Sequence, residues 1–448
     1  MSEMNFVSTG LPWLPQIPSR WRLMRNKDFL IETKDVVGDN SREYTLLSLT
    51  TQGIIPRDVE SGKGKFPSDF SKYKIVTKGD IAFCLFDIDE TPRTVGLAPM
   101  AGMLTGAYSI FHVHDINARY LYHYYLTLDN LKALKPLYTG LRKTIGSDVF
   151  ASVKIPVPPK EEQESIVAYL DWQESSINKV LTTKRKEIAL LKEVEHIFIK
   201  QQILGQNDNL VMKETQLPWA PKVPEHWKRV RHKQLFSLVS EKVGDKSSEY
   251  TLLSLTTQGI IPRDMKSGKG KFPSNFSSYQ VVNKGQLVFC LFDIDETPRT
   301  VGLSDEAGMI TGAYTVFDVK GADPKYLLYY FTMIDDEKAF KSLYTGLRKV
   351  INTDTFLAQS IYLPSIEEQK QIVERIEAFI VESKRAEMVY QEEIALLKEA
   401  RTSIALKTIS GQIDTRNIII PEYEYIEDSD EIENDDEVLD EKIVSSDI

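Results

Sequence analysis

One unit of this chain occurs twice. Leu11-Pro12-Trp13 returns as Leu217-Pro218-Trp219, Glu161-Glu162-Gln163 as Glu367-Glu368-Gln369, and Gly205-Gln206 as Gly411-Gln412, each pair 206 residues apart. Cys84/Cys290, Tyr44/Tyr250 and Gly140/Gly346 keep the same offset, so two copies run from about Leu11 to Gln412 without net insertion. A period of this length marks a domain duplication rather than a solenoid, and it limits the chain to two similar bodies and whatever joins them.

The copies are not equally alike along their length. Glu43 to Phe70 matches Glu249 to Phe276 at 25 of 28 positions, whereas Glu161 to Gln206 matches Glu367 to Gln412 at 15 of 46. The first part of each unit has been held alike or re-copied while the second diverged. In the first part, Tyr44 to Thr50, Asp80 to Phe86 and Tyr108 to Val113 are short β-rich runs bounded by turn formers, and Asn117 to Lys135 has the length and spacing of a helix. Gly53 to Arg57, Ser61 to Lys65, Asp87 to Arg93 and Thr139 to Lys143 read as loops.

The second part is expected to be one long helix. After Pro158-Pro159, Glu161 and Glu162 suit the positive end of a helix dipole. No proline follows before Gly205, and Ile166, Leu170, Ile177, Leu181, Ile188, Leu191 and Phe198 recur at heptad-like spacings, as do Ile372, Ile376, Ile394 and Leu397. Roughly 45 helical residues reach roughly 65 Å, too far to be buried in one small core. Two such stripes are most economically buried against each other, although docking of each on a separate partner stays open. The expected fold class is therefore α+β: two similar mixed domains and two long helices, each carrying a coiled-coil stripe.

Charge sets the next limit. The 448 residues carry a formal charge of −10, but from Pro421 onward 13 acidic residues face Lys442 alone. The acidity belongs to a terminal segment, expected to be disordered, and the repeated body is close to neutral. No apolar run approaches the roughly 18 residues of a membrane span, and Met1 to Gly10 lacks the layout of a signal peptide, so a cytoplasmic location is expected. Two cysteines are too few for a disulfide framework and are not spaced as zinc ligands.

No catalytic constellation survives comparison of the copies. The six histidines correspond across the offset to Asp318, Lys320, Tyr329, Thr402, Arg20 and Asn26, and no nucleotide-binding fingerprint or nucleophile elbow is present. Asp87, Asp89 and Glu90, repeated as Asp293, Asp295 and Glu296, have two readings: a Mg²⁺ site for phosphodiester hydrolysis, or carboxylates paired with Arg93 and Arg299. The basic loops are the better candidates. Thr51, Gln52, Arg57, Lys63, Lys65, Arg93, Arg142 and Lys143 recur as Thr257, Gln258, Arg263, Lys269, Lys271, Arg299, Arg348 and Lys349. Lys and Arg neutralise phosphates, and Arg and Gln also make paired hydrogen bonds to guanine and adenine edges in the major groove.

With these features in place, the layout resembles the DNA-specificity subunits of type I restriction-modification systems. The resemblance rests on the openings Ile17-Pro-Ser-Arg-Trp21 and Val223-Pro-Glu-His-Trp227, and on the exits Ile155-Pro-Val-Pro-Pro-Lys-Glu-Glu-Gln163 and Tyr362-Leu-Pro-Ser-Ile-Glu-Glu-Gln369, each leading into a long helix. It implies target-recognition domains at 1–157 and 207–363 separated by a coiled-coil spacer of two long antiparallel helices, 158–206 and 364–414, which would relate the domains by a pseudo-twofold; the acidic tail read from composition, 415–448, lies beyond the resemblance. It also implies no catalysis and no cofactor in this chain, which would bind double-stranded DNA together with two methyltransferase subunits. Those subunits would bind S-adenosylmethionine and methylate a flipped adenine, and a restriction subunit would bring ATP and Mg²⁺. Because the copies share their reading loops, the expected target is split and nearly palindromic. A stand-alone Mg²⁺-dependent nuclease and a coiled-coil adaptor without DNA readout are the competing classes.

Overall fold

The structure, a computed structural model, describes residues 5–58, 67, 69–138, 143–206, 210–263, 275–344 and 349–428. The chain divides into two compact units, Met1–Glu187 with Val389–Ile448, and Ile188–Met388. Two long helices are present, Lys160–Ile203 and Ile366–Ile409, each of 44 residues. Each helix is divided between the units. None of the described helices is long and apolar enough to cross a membrane.

In the first unit, strands β1 (Leu30–Thr33), β4 (Ile81–Phe83), β5 (Val95–Leu97) and β6 (Ser109–Val113) form an antiparallel sheet of order β1-β6-β4-β5. Between β1 and β4 comes a hairpin of β2 (Leu47–Thr50) and β3 (Gly53–Pro56), with Thr50 opposite Gly53. Helix α1 (Ala118–Asn130) follows β6, its N-terminus capped by the Asn117 side chain, which accepts from the Arg119 and Tyr120 amides. The hairpin lies close over β5. A Cβ on Gly96 would come 2.5 Å from Leu49 Cδ1 and 2.6 Å from Ile54 Cγ1.

The second unit repeats this plan. Strands β7 (Phe236–Val239), β10 (Leu287–Phe289), β11 (Val301–Leu303) and β12 (Thr315–Val319) form a sheet of order β7-β12-β10-β11. The hairpin is β8 (Leu253–Thr256) with β9 (Gly259–Pro262), and it lies over Gly302 as its counterpart lies over Gly96. Helix α2 (Pro324–Asp336) is capped by Asp323 and opens on proline, whose missing amide suits the first turn.

Each core is closed by both long helices. In the first unit Ile166 and Leu170, from the start of the first helix, and Ile409, from the end of the second, join Phe83, Phe111, Tyr125 and Phe150. In the second unit Ile203 and Ile372, with Ile376, join Phe289, Phe317, Phe331 and Phe356 in the same way. Where the helix segments meet they run antiparallel: Lys184 pairs with Glu393 at 2.9 Å in the first unit, and Phe198 stacks on Phe379 with ring centroids 4.2 Å apart in the second.

These docking points account for the repeated motifs. The first long helix ends at Gly205 and the second at Gly411, with φ of 63° and 72°, a left-handed conformation that glycine adopts without strain. Gly411 abuts Pro18 and Trp21, and Gly205 abuts Pro224 and Trp227, so each opening motif receives the end of a long helix. In the exit motif, Gln163 donates to Pro158 O and accepts from the Asn117 amide, and Gln369 does the same with Pro364 and Asp323. Glu162 pairs with Arg20, whereas Glu368 takes His226 and the Trp227 indole. Ser365 stands where the first copy has its second proline, and its hydroxyl accepts from the Glu368 amide, an N-cap in place of a rigid turn.

The C-terminal segment departs from expectation. The acidic stretch was expected to be disordered, yet residues 415–428 lie within the first unit. Ser165 Oγ meets Thr415 Oγ1 at 2.8 Å, and Asp428 is buried. The acidity of this stretch is compatible with order because specific partners on the long helices meet its carbonyls and one of its carboxylates. Residues 429–448 lie outside the described residues.

Candidate nucleic-acid interface

The two hairpin tips are built alike. Thr50 Oγ1 donates to Gly53 O at 3.0 Å and accepts from the Gln52 amide at 3.2 Å, which fixes the turn and projects Thr51 and Gln52. Thr256 does the same for Gly259 and Gln258, at 3.0 and 3.1 Å. Gly53 and Gly259 take φ of 107° and 103°, which only glycine adopts readily. The environments differ: Thr51 and Gln52 are half-buried, while Thr257 and Gln258 are exposed. Gln52 Nε2 donates to Asp428 O at 3.3 Å.

Arg93 and Arg299 both have partners in the DNA-free chain. Arg93 donates to Thr51 O through Nε and Nη2, at 3.3 and 3.2 Å, and through Nη1 to Asn130 at 2.9 Å and the buried Asp129 at 3.4 Å. It thereby ties the first hairpin tip to the end of α1. Arg299 pairs with Asp335 at 3.2 Å and Asp336 at 2.7 Å. A buried carboxylate on the neighbouring helix thus holds each guanidinium in the DNA-free chain. Asp129 also accepts from the Thr94 amide and Lys132, and Asp335 from Thr300 and Lys338.

The acidic loop pairs with lysines rather than with those arginines. Asp89 accepts from the Tyr138 hydroxyl at 2.7 Å and faces Lys135 and Lys143 at 3.3 and 3.6 Å, and Lys143 also pairs with Glu90. The Tyr138 hydrogen bond above all, then the lysines, holds the Asp89 carboxyl at about 2. Asp295 sits likewise with Tyr344, Lys349 and Lys341, and is also held at about 2. Tyr138 and Tyr344 thus brace this loop, and Lys143 and Lys349 are ion-paired within it. Among the described residues no group of three metal-ligating side chains converges as a metal would need.

Arg57 and Arg263 directly follow the second hairpin strands, their amides donating to Leu46 O and Leu252 O. Lys63, Lys65, Arg142, Lys269, Lys271 and Arg348 lie outside the described residues. The structure thus brings Thr51, Gln52 and Arg93 together at one tip, and sets Lys143 on a second loop. Sequence reading missed the positioning pairs Asp129/Asp335 and Lys132/Lys338, although they keep the 206-residue offset and that signal was available.

Comparison with known proteins agrees with this architecture. The family model described as Type I restriction modification DNA specificity domain matches residues 65–190 and 292–388. The Type I restriction enzyme MjaVIII specificity subunit of Methanocaldococcus jannaschii is 24% identical over 300 residues, 61% of this chain and 65% of that protein. The chain thus spans a little under two thirds of that relative's length. Among solved structures, the HsdS subunit from Thermoanaerobacter tengcongensis matches with a TM-score of 0.50 at 16% identity, over 89% of this chain and 98% of that one. A chain from a structure described as the structural basis underlying complex assembly and conformational transition of the type I R-M system matches with a TM-score of 0.57 at 15% identity, over 89% of this chain and 99% of that one.

Proposed function

The chain belongs to the DNA specificity family of type I restriction-modification systems, and from that premise we propose that each of its two domains reads one half of a bipartite DNA target without catalysing a reaction. The observation that carries this reading is the doubled tip: Thr51-Gln52-Gly53 and Thr257-Gln258-Gly259 are held out by the same threonine hydroxyl over the same glycine-bearing strand. A glutamine amide on a rigid two-residue turn can pair with N6 and N7 of adenine in the major groove, and a pair of that kind discriminates by about 1–3 kcal/mol. The loop lysines and the arginines Arg57 and Arg263 would supply sequence-independent phosphate contacts.

Identical reading loops imply related half-sites. If the two copies meet the duplex in opposite directions, the target is nearly palindromic, with an unspecified spacer set by the long helices. The partners in this reading are double-stranded DNA, two methyltransferase subunits that dock on the helices and hold S-adenosylmethionine, and restriction subunits that use ATP and Mg²⁺. Mapping methyladenine in DNA exposed to the assembled methyltransferase tests it. Two inverted copies of one half-site are expected, and two unrelated half-sites would refute the shared-reading argument.

A further inference from the structure

The C-terminal segment crosses the first unit along the first long helix. Ser175 Oγ donates to Glu424 O and accepts from the Ile426 amide, both at 2.9 Å, and Asn178 Nδ2 donates to Ile426 O at 3.0 Å. The segment delivers Asp428 to two arginines, Arg185 at 2.5 Å and Arg401 at 3.2 Å, one from each long helix. One carboxylate oxygen meets each guanidinium, the arrangement in which paired arginines take a phosphate. Although burial opposes ionisation, Arg185 and then Arg401 hold the Asp428 carboxyl below its ordinary range. The backbone carbonyl of the same residue accepts from Gln52 at the first hairpin tip.

Nothing equivalent can form on the second unit. Across the 206-residue offset, Arg185 becomes Gln391, Arg401 becomes Glu195, Ser175 becomes Val381 and Asn178 becomes Lys384. Beneath the segment, a cleft of about 1090 Å³ remains between it, the hairpin tip and α1, bordered by Gln52, Asn130 and Arg401. The segment therefore spans the cleft rather than filling it, and Tyr423, Glu424, Tyr425 and Glu427 along it are exposed.

We infer that Arg185 and Arg401 form a binding site for a backbone phosphate of duplex DNA, occupied in the DNA-free chain by Asp428 of its own C-terminal segment. Phosphate is the apt competitor. A backbone phosphodiester carries the same single negative charge as a carboxylate and likewise presents two charged oxygens, one for each guanidinium fork, while its binding also releases counterions condensed on the duplex. Displacing Asp428 also frees the Gln52 amide, so phosphate capture on the helices and base reading at the tip are coupled in the first domain alone. Gln258, already exposed, engages DNA without that step. The inference rests on the DNA-reading function proposed above.

The test uses the full chain and measures duplex binding as a function of salt. Asp428→Asn removes the occupant's charge and is expected to tighten binding about tenfold at low salt, with the slope of log K against log salt steeper by roughly 0.9 for one added phosphate. Glu424→Gln makes the same change in net charge and should stay within twofold. Arg185→Gln added to Asp428→Asn should abolish the gain. Ser175→Ala with Asn178→Ala loosens the segment from a different side and should tighten binding as well, which keeps the test decisive if one variant folds poorly. A truncation is less clean, because it also deletes the acidic residues between Asp430 and Asp447. Unchanged or weaker binding by Asp428→Asn, in a chain that binds DNA specifically with its methyltransferase partners, overturns the phosphate site and leaves the DNA-reading function standing. Absence of specific binding by the wild-type assembly overturns the function itself, and the inference falls with it.

Discussion

His232 makes the second unit sensitive to acid in a way the first is not. It is fully buried, with the rings of Phe236, Phe331 and Phe356 at centroid distances of 5.7, 5.4 and 4.8 Å, and neither ring nitrogen has a hydrogen-bond partner among the described residues. Burial pushes its pKa from 6.5 down to about 4, against a smaller pull from the Phe356 backbone. Its counterpart Asn26 is satisfied instead, donating to Phe150 O at 2.9 Å and accepting from the Tyr125 hydroxyl at 2.6 Å, while the second unit has Phe331 at the tyrosine position. Above pH 6.5 the imidazole is neutral in both folded and unfolded chains and adds no pH dependence. As the pH falls from 6.5 towards 4 the unfolded chain takes up a proton that the folded unit refuses, so stability falls, by roughly 3 kcal/mol at about 1.4 kcal/mol per pKa unit. Below pH 4 the loss levels off.

The double replacement His232→Asn with Phe331→Tyr transplants the first unit's pair. It is expected to stabilise the second unit by about 1–3 kcal/mol at pH 7.5, from satisfying the polar groups, and by roughly 3 kcal/mol more near pH 4. Hydrogen-exchange mass spectrometry separates the units, through the amides of Leu287–Phe289 against those of Ile81–Phe83, and variant and parent compared at one pH share the same intrinsic exchange chemistry. A stability gap that is the same at pH 7.5 and pH 4.5 would refute the assignment of the acid sensitivity to His232.

Three further outcomes follow from the hairpin and its supports. Gly302→Ala forces a methyl to within 2.6 Å of Leu255 Cδ1 and should destabilise the second unit by about 1–3 kcal/mol while weakening DNA binding, read by thermal melts and gel shift. Arg93→Ala removes the tie between Thr51 O and α1 and should reduce sequence discrimination more than non-specific affinity, whereas an equal loss of both would mark Arg93 as a phosphate contact. Gln163→Ala leaves the Asn117 amide without its acceptor and should cost about 1–3 kcal/mol in the first unit, whereas an unchanged urea midpoint would show that the exit-motif glutamine is not a clamp.

Much of this architecture could be read before any coordinates. The proline-free stretches after Pro159 and Pro364 became helices of the expected length, and Leu47–Thr50, Ile81–Phe83 and Ser109–Val113 fell inside the β-rich runs, whereas Gly53–Pro56, read as a loop, is a strand because it pairs with Leu47–Thr50 across the tight Thr51-Gln52 turn. The matching elements are properties of local sequence, where spacing and breakers carry the information. What escaped depended on contacts made at long range. Arg93 has the chemistry of a DNA contact, and only the proximity of Asp129 on α1 turns it inward. Arg185 and Arg401 lie far apart in sequence and have no basic counterparts across the repeat, so a search for repeated cations passed over them. The composition of the last residues pointed to disorder, and nothing in composition could reveal that Ser175 and Asn178 receive the backbone of Glu424 and Ile426.

The seating of Gly411 against Pro18 and Trp21 has a consequence for the order of synthesis. A ribosome releases the first hairpin and sheet early, but Ile409, which lies in the core of that unit, emerges only after the whole of Ile188–Met388 has been made. The second unit is continuous in the chain and can close first, reversing the usual amino-to-carboxyl order of domain folding. Until the last helical turn arrives, Trp21 and its neighbours lack the cover that Ile409 and Gly411 provide.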